Sequence, residues 1–348
     1  MCLSNQRPLL SIVIATYNRA KLLDEALASL SVQTLQGGGP VEGLYEVLVI
    51  DNGSTDDTCQ VAERRQRTTS NLRYIQEPRQ GVNNARNRGI EEARAPYLIF
   101  FDDECTVATD FVACLCERLV NKKPILFGGP VFPRYAPDPP KPSWFRDSYG
   151  AFSVFERDVT LERLWLSGAN LGGLREAFQS IGGFNPTLGP RGQRMVYGEE
   201  HELTERIQTQ YGAAVVCYFS DIGVQHLVRE EKYSVVNNLK EQCLRGYWRG
   251  RLSKASSVLN GKRDTSVTIV STSSASSTGG LNYSKFRDLL SQLIRTPLFR
   301  DRQKYPYIQN YVIEVIGPFL RSICYGIGVL VGGVLRRYRR RNAAANPR

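Results

Sequence analysis

Three acidic residues in a row, Asp102, Asp103 and Glu104, directly follow the apolar segment 97–101. Carboxylates this close repel one another, and a bound cation relieves that repulsion. Oxygen ligands suit Mg²⁺ or Mn²⁺, and either ion can bridge the phosphates of a nucleotide. A solvated acidic turn or a helix start is the alternative, since acids are common at both. Because the acids come straight after a fully apolar strand, we favour a metal site.

A second group of acids, Glu199, Glu200 and Glu202, lies at the start of a helix predicted from about Gly198. A carboxylate held near an acceptor hydroxyl can take its proton as a general base. The alternative is that these acids only interact favourably with the positive end of the helix. The residue types alone leave both possibilities open.

Histidine is rare in this chain, which has only two such residues, His201 and His226. His226 follows a strand predicted over 213–219, and an imidazole at a strand end can serve as a third metal ligand. A purely structural histidine is the alternative. His201 is explained equally well by an exposed position on the helix beside Glu200.

Alternating strands and helices are expected to position these groups. Short apolar runs predict strands over 9–15, 45–50, 72–75 and 97–101, and leucines and alanines at helical spacing predict helices over 20–32 and 83–93. This alternation predicts an α/β fold with a mainly parallel sheet and helices on both faces. Ligands bind beyond the carboxyl ends of such strands, where the acidic cluster 102–104 meets two polar loops, 16–18 and 51–54.

The second half of the chain is less regular. We predict a strand over 125–132, a helix over 174–181 and a flexible linker or insertion over 253–280, which is rich in serine and threonine and lacks periodicity.

A series of motifs accompanies the predicted strand ends. They read Ser-Ile-Val-Ile-Ala-Thr-Tyr-Asn-Arg at 11–19, Val-Ile-Asp-Asn-Gly-Ser-Thr-Asp at 49–56, Gly81 with Ala-Arg-Asn at 85–87, and Phe-Asp-Asp-Glu at 101–104. Ser-Gly-Ala-Asn at 167–170, Gly-Gly-Phe-Asn at 182–185 and Gly-Glu-Glu at 198–200 follow in order. Together they resemble the successive signatures of family 2 glycosyltransferases, over about residues 9–250.

The resemblance implies a GT-A fold and an inverting, metal-dependent transfer from a nucleotide sugar. It places the donor on Thr16, Tyr17, Asn18, Asp51, Arg86, Asp102, Asp103, Asn170 and Glu199, the metal on Asp103, Glu104 and His226, and the general base on Glu200. Asp51 would accept from the ring N–H of a uracil, and Arg86 would lie near the diphosphate. Glu104 and Glu200 stand where the family has aspartate, so each carboxylate is one methylene further from the backbone.

The net charge of +11 is concentrated in the last part of the sequence. Residues 281–348 contain thirteen lysines and arginines against three acids, a net charge of +10, which leaves +1 for residues 1–280. A nucleic-acid enzyme more often spreads basic residues over its binding face. We therefore expect no nucleic-acid partner.

Residues 322–335 form an uncharged apolar run that Arg336, Arg337 and further arginines follow. As a helix this run would be about 21 Å long, short of the roughly 30 Å hydrocarbon core of a bilayer. An in-plane or re-entrant anchor, with the arginines on an anionic membrane surface, is the interpretation we favour. A helix packed on protein, with Gly328 and Gly332 at close-contact spacing, is the alternative.

These patterns predict three regions: a GT-A catalytic domain at 1–252, the linker at 253–280 and a basic helical region at 281–348. The expected partners are a nucleotide-sugar donor, which the resemblance implies to be a UDP-sugar, and a glycan or lipid-linked acceptor in polysaccharide or cell-envelope synthesis. The start of the sequence lacks signal-peptide character, which predicts a location on the cytoplasmic face of the membrane. The rival functions are a sugar-nucleotide nucleotidyltransferase and a non-catalytic membrane scaffold.

Overall fold

The computed structural model describes residues 7–35, 38–39, 41, 43–160, 166–192, 195–252 and 320–336. The predicted linker 253–280 and most of the region 281–348 lie outside the described residues. The chain divides into two compact units, Met1–Arg134 with Gly150–Leu227 and Tyr135–Tyr149 with Val228–Arg348. Residues 228–252, which the sequence groups with the catalytic domain, fall in the second unit.

Eleven strands and eight α-helices form the described part of the chain. The strands are β1 (Leu10–Thr16), β2 (Tyr45–Asp51), β3 (Leu72–Gln76), β4 (Tyr97–Asp102), β5 (Cys105–Val107), β6 (Leu126–Gly128), β7 (Val131–Tyr135), β8 (Val159–Thr160), β9 (Leu171–Leu174), β10 (Val216–Tyr218) and β11 (Val224–Val228). The helices are α1 (Ala20–Ser31), α2 (Thr58–Thr68), α3 (Val82–Glu92), α4 (Phe111–Lys122), α5 (Arg175–Ser180), α6 (Glu199–Tyr211), α7 (Val235–Leu252) and α8 (320–336).

An eight-stranded sheet with the order β3-β2-β1-β4-β9-β6-β10-β8 forms the centre of the first unit. The four strands β3, β2, β1 and β4 are parallel, as predicted, while β9 runs antiparallel to both of its neighbours. A second sheet has the order β5-β11-β7.

Alternate residues of the central strands face opposite layers of helices, because side chains point to the two faces of a strand in turn. Ile12, Ile14 and the strand residues that point to the same face of the sheet share a core with α1, α2 and α4. Val13 and its equivalents share a second core with α3, α5 and α6. Both faces of the parallel strands are thus covered, which explains their nearly unbroken apolar sequences.

The single strand predicted over 125–132 is wrong, since this segment forms β6 and β7 in two different sheets. Gly129 lies at the break, where a Cβ atom would come within 2.6 Å of the Ile222 side chain. The helix predicted over 174–181 is shorter, Arg175–Ser180, and β9 precedes it without having been predicted. Gly172 and Gly173 of β9 are poor strand formers, but they allow β9 to lie close to Phe127 and Phe178.

The second unit contains an aromatic cluster and two helices. Trp144 and Phe145 are buried, and Tyr149 and Tyr233 pack edge-on against Phe145. The helices are α7 and α8. Of the helices that the structure describes, none has the length and apolar character needed to cross a membrane.

Candidate active site

The carboxyl ends of β1, β2 and β4 lie side by side, as the sequence predicts. Thr16 pairs with Asp51 across β1 and β2, and Ala15 pairs with Asp102 across β1 and β4. The strand register therefore brings the polar loop after β1, Asp51 and the acidic cluster to one edge of the sheet. This edge is the candidate active site.

The three acids of the cluster differ in their surroundings. Asp102 is partly exposed, whereas Asp103 and Glu104 are buried. The Asp103 carboxylate accepts a hydrogen bond from Thr16 Oγ1 at 2.8 Å. Burial raises the pKa of Asp103 to about 7, because desolvation disfavours the charged form more than the Thr16 hydroxyl and the Arg19 charge favour it.

His226 lies against the first and third acids. Its Nε2 atom is 3.2 Å from Glu104 Oε1 and 3.5 Å from Asp102 Oδ2. Antiparallel pairing holds it there, because His226 of β11 lies opposite Cys105 of β5, one residue after Glu104. The structure thus brings Asp102, Glu104 and His226 together, while the Asp103 side chain turns to Thr16.

Two carboxylates and one imidazole are a suitable donor set for Mg²⁺ or Mn²⁺ in their chemistry. In the described residues, however, no group of three or more histidine, cysteine, aspartate or glutamate side chains is arranged to hold a metal ion. The cluster is instead neutralised by protein: Arg19 Nη1 lies 3.2 Å from Glu104 Oε2, and Arg86 Nη2 lies 3.4 Å from Asp102 Oδ1. The donors therefore fit a divalent ion, but their side chains must move to surround one.

Arg86 connects the acidic cluster to the second group of acids. Its Nη1 atom is 3.7 Å from Glu199 Oε1 and 3.9 Å from Glu200 Oε1. The guanidinium is buried, and its Cζ atom lies 5.2 Å from the centre of the Phe184 ring. Nη1 makes no hydrogen bond within the part of the chain that the structure describes. A single buried cation thus faces three carboxylates and keeps one donor atom unused.

Glu199 and Glu200 begin α6, as predicted, but they occupy different environments. Burial raises the pKa of Glu199 to about 8, and the neighbouring Glu200 charge raises it further than the Arg86 charge lowers it. Glu200 is 24% exposed and accepts a hydrogen bond from the Gly168 N–H at 3.1 Å. Burial therefore favours the protonated form of Glu199, while Glu200 is the accessible carboxyl group of the pair.

Asp51 and the loop after β1 form the other end of the site. Asp51 is buried and accepts hydrogen bonds from the Ser54 N–H at 2.9 Å and from the Tyr74 hydroxyl at 2.7 Å. Asn18 adopts a positive φ of 54° and accepts from the Thr55 N–H at 2.7 Å. These bonds join the loops after β1 and β2, and Tyr17 stands exposed between them.

Asn170 lies apart from these groups. It is fully buried, and its Nδ2 atom donates to the carbonyl oxygens of Ile222 at 2.7 Å and Pro130 at 3.2 Å. The side chain thus joins the backbone at Pro130 to the backbone at Ile222, and neither of these hydrogen bonds goes to the exposed carboxylates.

Three residues with clear contacts in the site were not singled out from the sequence. Arg19 pairs with Glu104, Tyr74 donates to Asp51, and Gly168 allows Glu200 and Arg86 to approach. A Cβ atom at Gly168 would lie 2.4 Å from Glu200 Oε1 and 2.5 Å from Arg86 Nη2. Arg19 and Gly168 belong to motifs quoted above, so the signal was present, whereas nothing in the sequence marks Tyr74.

The fold and the acidic edge of the sheet define a class, the GT-A glycosyltransferases. The structure is similar to the crystal structure of GalNAc-T7 with UDP, GalNAc and Mn²⁺, with a TM-score of 0.50, 17% sequence identity and coverage of 71% of this chain and 51% of that chain. At this identity the likeness shows the fold, which confirms the predicted fold class.

Residues 11–182 match the family described as Glycosyl transferase family 2. Residues 11–182 therefore form a domain of this family, as the motifs predict.

Relatives extend the comparison. Glycosyltransferase AglE of Haloferax volcanii is 36% identical over 100 residues, 28% of this chain and 31% of the relative. GalNAc(5)-diNAcBac-PP-undecaprenol beta-1,3-glucosyltransferase of Campylobacter jejuni is 28% identical over 123 residues, 35% and 38% of the two chains. Glucosyl-dolichyl phosphate glucuronosyltransferase of H. volcanii is 24% identical over 247 residues, 69% and 74% of the two chains. The chain spans about a third of the length of the first two relatives.

Proposed function

We propose that the protein transfers a sugar, with inversion, from a UDP-sugar to a hydroxyl group of a glycan or lipid-linked acceptor. The observation that carries this proposal is the position of Arg86, a buried cation between Asp102 of the acidic cluster and the accessible carboxylate Glu200. Such an arrangement can hold a negatively charged leaving group and a base on opposite sides of one reacting carbon.

The nucleotide end of the donor is assigned to the loops after β1 and β2. Asp51 has both oxygens oriented by donors, from Ser54 and Tyr74, and a carboxylate oxygen can accept more than one hydrogen bond. It is therefore suited to accept from the ring N–H of uracil. The exposed Tyr17 and the fixed Asn18 are available to contact the base and ribose. Thr16 is engaged with Asp103 and acts through that bond.

Asp102, Glu104 and His226 are the residues that would hold Mg²⁺ or Mn²⁺. When bound, the ion supplies positive charge to the leaving diphosphate. The Glu104 carboxylate would then leave its ion pair with Arg19 and bind the metal ion. Asp103, which the sequence assigned to the metal, instead fixes the Thr16 hydroxyl in this proposal, because its carboxylate accepts a hydrogen bond from that hydroxyl.

Glu200 acts as the general base. It takes the proton of the acceptor hydroxyl while the acceptor oxygen attacks the anomeric carbon and the bond to the diphosphate breaks, which inverts that carbon. The Gly168 N–H fixes one Glu200 oxygen, and burial favours the protonated form of the neighbouring Glu199. Arg86 is placed to keep its positive charge near the diphosphate.

The acceptor and the place of action follow from the relatives, and both are proposals for this chain. Two relatives carry undecaprenol or dolichyl phosphate in their names. We therefore propose a lipid-linked acceptor, synthesis of a polysaccharide or cell-envelope glycan, and action on the cytoplasmic face of a membrane.

Glu200→Gln tests the assignment of the base. We expect turnover to fall by about 10²-fold or more, because glutamine cannot take the proton, while the affinity for UDP stays as in wild type. Turnover is measured as UDP release from a panel of UDP-sugars with a membrane lipid extract as acceptor source, and mass spectrometry identifies the product.

Glu199→Gln is the matched control, since it replaces the adjacent carboxyl with the same amide. We expect a smaller loss of turnover in this variant. Turnover near the wild-type value in Glu200→Gln would show that another group removes the proton. Formation of a nucleotide sugar from a sugar phosphate, rather than its consumption, would favour a nucleotidyltransferase.

A further inference from the structure

Helix α8 has two faces of different character. Residues 322–335 of this helix include no charged side chain. Gly328 and Gly332 are buried on one face, while large aliphatic side chains are exposed on the other. Water normally faces the charged side of an amphipathic helix, so this pattern requires an explanation.

The glycine face of α8 is already occupied by α7. A Cβ atom at Gly328 would lie 2.1 Å from the carbonyl oxygen of Cys243, and one at Gly332 would lie 2.0 Å from that of Tyr247. The contact is reciprocal, because a Cβ atom at Gly246 would lie 2.0 Å from the carbonyl oxygen of Tyr325. The two helix backbones therefore touch, and α7 and α8 form one closely packed pair. This accounts for the glycines.

Among the described residues, the opposite face of α8 carries exposed side chains instead of a packed helix. Ile327, Leu330, Val331 and Val334 are 47% to 68% exposed, and their spacing of three and four residues places them along one stripe. Leu320 and Leu335 extend it at the ends. We call these six residues the aliphatic stripe. An exposed apolar surface of this kind marks an interaction site.

The charge around the stripe indicates what covers it. Arg336 ends α8, and the sequence continues with Arg337, Arg339, Arg340 and Arg341. No acidic residue occurs after Glu314. Aliphatic side chains beside a cluster of arginines complement the acyl chains and the negatively charged headgroups of an anionic lipid surface. A second copy of this chain, packed in parallel through the stripe, would instead bring like charges together.

We propose that the aliphatic stripe docks on an anionic lipid bilayer, with the stripe at the acyl-chain boundary and Arg336 at the level of the lipid phosphates. The placement of the enzyme beside a lipid-linked acceptor rests on the proposed function, whereas the docking itself rests only on the stripe and its charge. The α7 helix then serves as the rigid support that turns the stripe outward.

Vesicle co-sedimentation of the full-length protein tests the docking. We expect binding to phosphatidylcholine vesicles that contain phosphatidylglycerol, and weaker binding to phosphatidylcholine alone. The double variant Leu330→Ser, Val334→Ser should bind at least about 10-fold more weakly, because two large apolar side chains no longer leave water. Raising the salt to about 1 M should weaken binding further, since it shortens the Debye length to about 3 Å.

Val120→Ser is the matched control, because Val120 on α4 is also 58% exposed but lies in the first unit. It should bind vesicles as wild type does. Equal binding by the double variant and wild type, or no binding by wild type, would overturn the proposal. Size-exclusion chromatography tests the other occupant of the stripe, a second copy of this chain. A dimer formed by the wild type and not by the double variant would assign the stripe to that second copy.

Calorimetry of UDP binding distinguishes a failure of the docking proposal from a failure of the proposed glycosyltransferase function. The double variant should bind UDP as wild type does, which also shows that it is folded. Failure of both proteins to bind UDP would count against the proposed function and leave the vesicle result intact.

Discussion

Gly168 provides a sensitive test of the geometry around Glu200. The change Gly168→Ala adds one methyl group, whose Cβ atom would lie 2.4 Å from Glu200 Oε1 and 2.5 Å from Arg86 Nη2. Ordinary van der Waals contact begins at 3.4 Å, so the carboxylate must move by about 1.0 Å and the guanidinium by about 0.9 Å. The hydrogen bond from the Gly168 N–H to Glu200 would also be disturbed.

A displacement of about 1 Å at a catalytic group can cost about 10²-fold in rate, because the reacting atoms lose their alignment. We expect the kcat of Gly168→Ala to fall by that factor. The affinity for UDP should fall by less, because Arg86 near the diphosphate moves while Asp51 and Tyr74, at the other end of the site, do not. The assay measures UDP release under saturating donor and UDP affinity by calorimetry.

Gly326→Ala is the control, because no atom lies within 4 Å of a Cβ atom at that position. Its kcat should equal that of wild type. A wild-type kcat in Gly168→Ala would refute the reasoning, because it would mean that the position of the Glu200 carboxylate does not limit the reaction.

Two other predictions concern the proton on Glu199 and the metal. Because burial raises the folded-state pKa of Glu199 above its ordinary value of 4.5, its contribution to stability is present below that value and is lost as the pH rises through the raised pKa. Glu199→Gln should remove this decline, seen as a flatter dependence of the urea midpoint on pH. Parallel midpoints in the two proteins would contradict this. EDTA should weaken UDP binding at least about 10-fold in calorimetry, with Mn²⁺ or Mg²⁺ restoring it, because the acids would then face the diphosphate without the ion. Equal affinity in both conditions would exclude a metal at Asp102, Glu104 and His226.

The central sheet could be predicted because its strands are buried on both faces. β1, β2 and β4 each consist mainly of apolar residues, and each ends at a polar group that the register brings to one edge. The short strands β5 and β11 could not be predicted, since three to five residues of mixed polarity give no clear period. The pairing of these strands holds His226 beside Glu104. The position of His226 therefore could not be predicted, because the strands that set it could not be predicted.

The division of roles within the acidic cluster was also beyond the sequence. Asp102 ends β4 and the chain turns at 103 and 104, which directs the Asp103 side chain to Thr16 and leaves its neighbours with His226. Three consecutive acids give no indication of such a turn. The relation between Arg86 and the two glutamates was hidden for a similar reason, because it depends on the packing of α3 against α6 across one face of the sheet.

The pairing of β11 with β5 has a consequence for how the site responds to distant changes. The Leu227 N–H donates to the Glu104 carbonyl oxygen at 3.2 Å, so the backbones that carry His226 and Glu104 are joined directly and move as one body. Asp102 belongs to the other sheet, at the end of β4. The candidate metal ligands thus lie where two sheets meet. A substitution that increases the distance between these sheets would move Asp102 relative to Glu104 and His226, although it replaces none of the three. Ion affinity would therefore report on the packing of α1 against β5, the strand that begins one residue after Glu104.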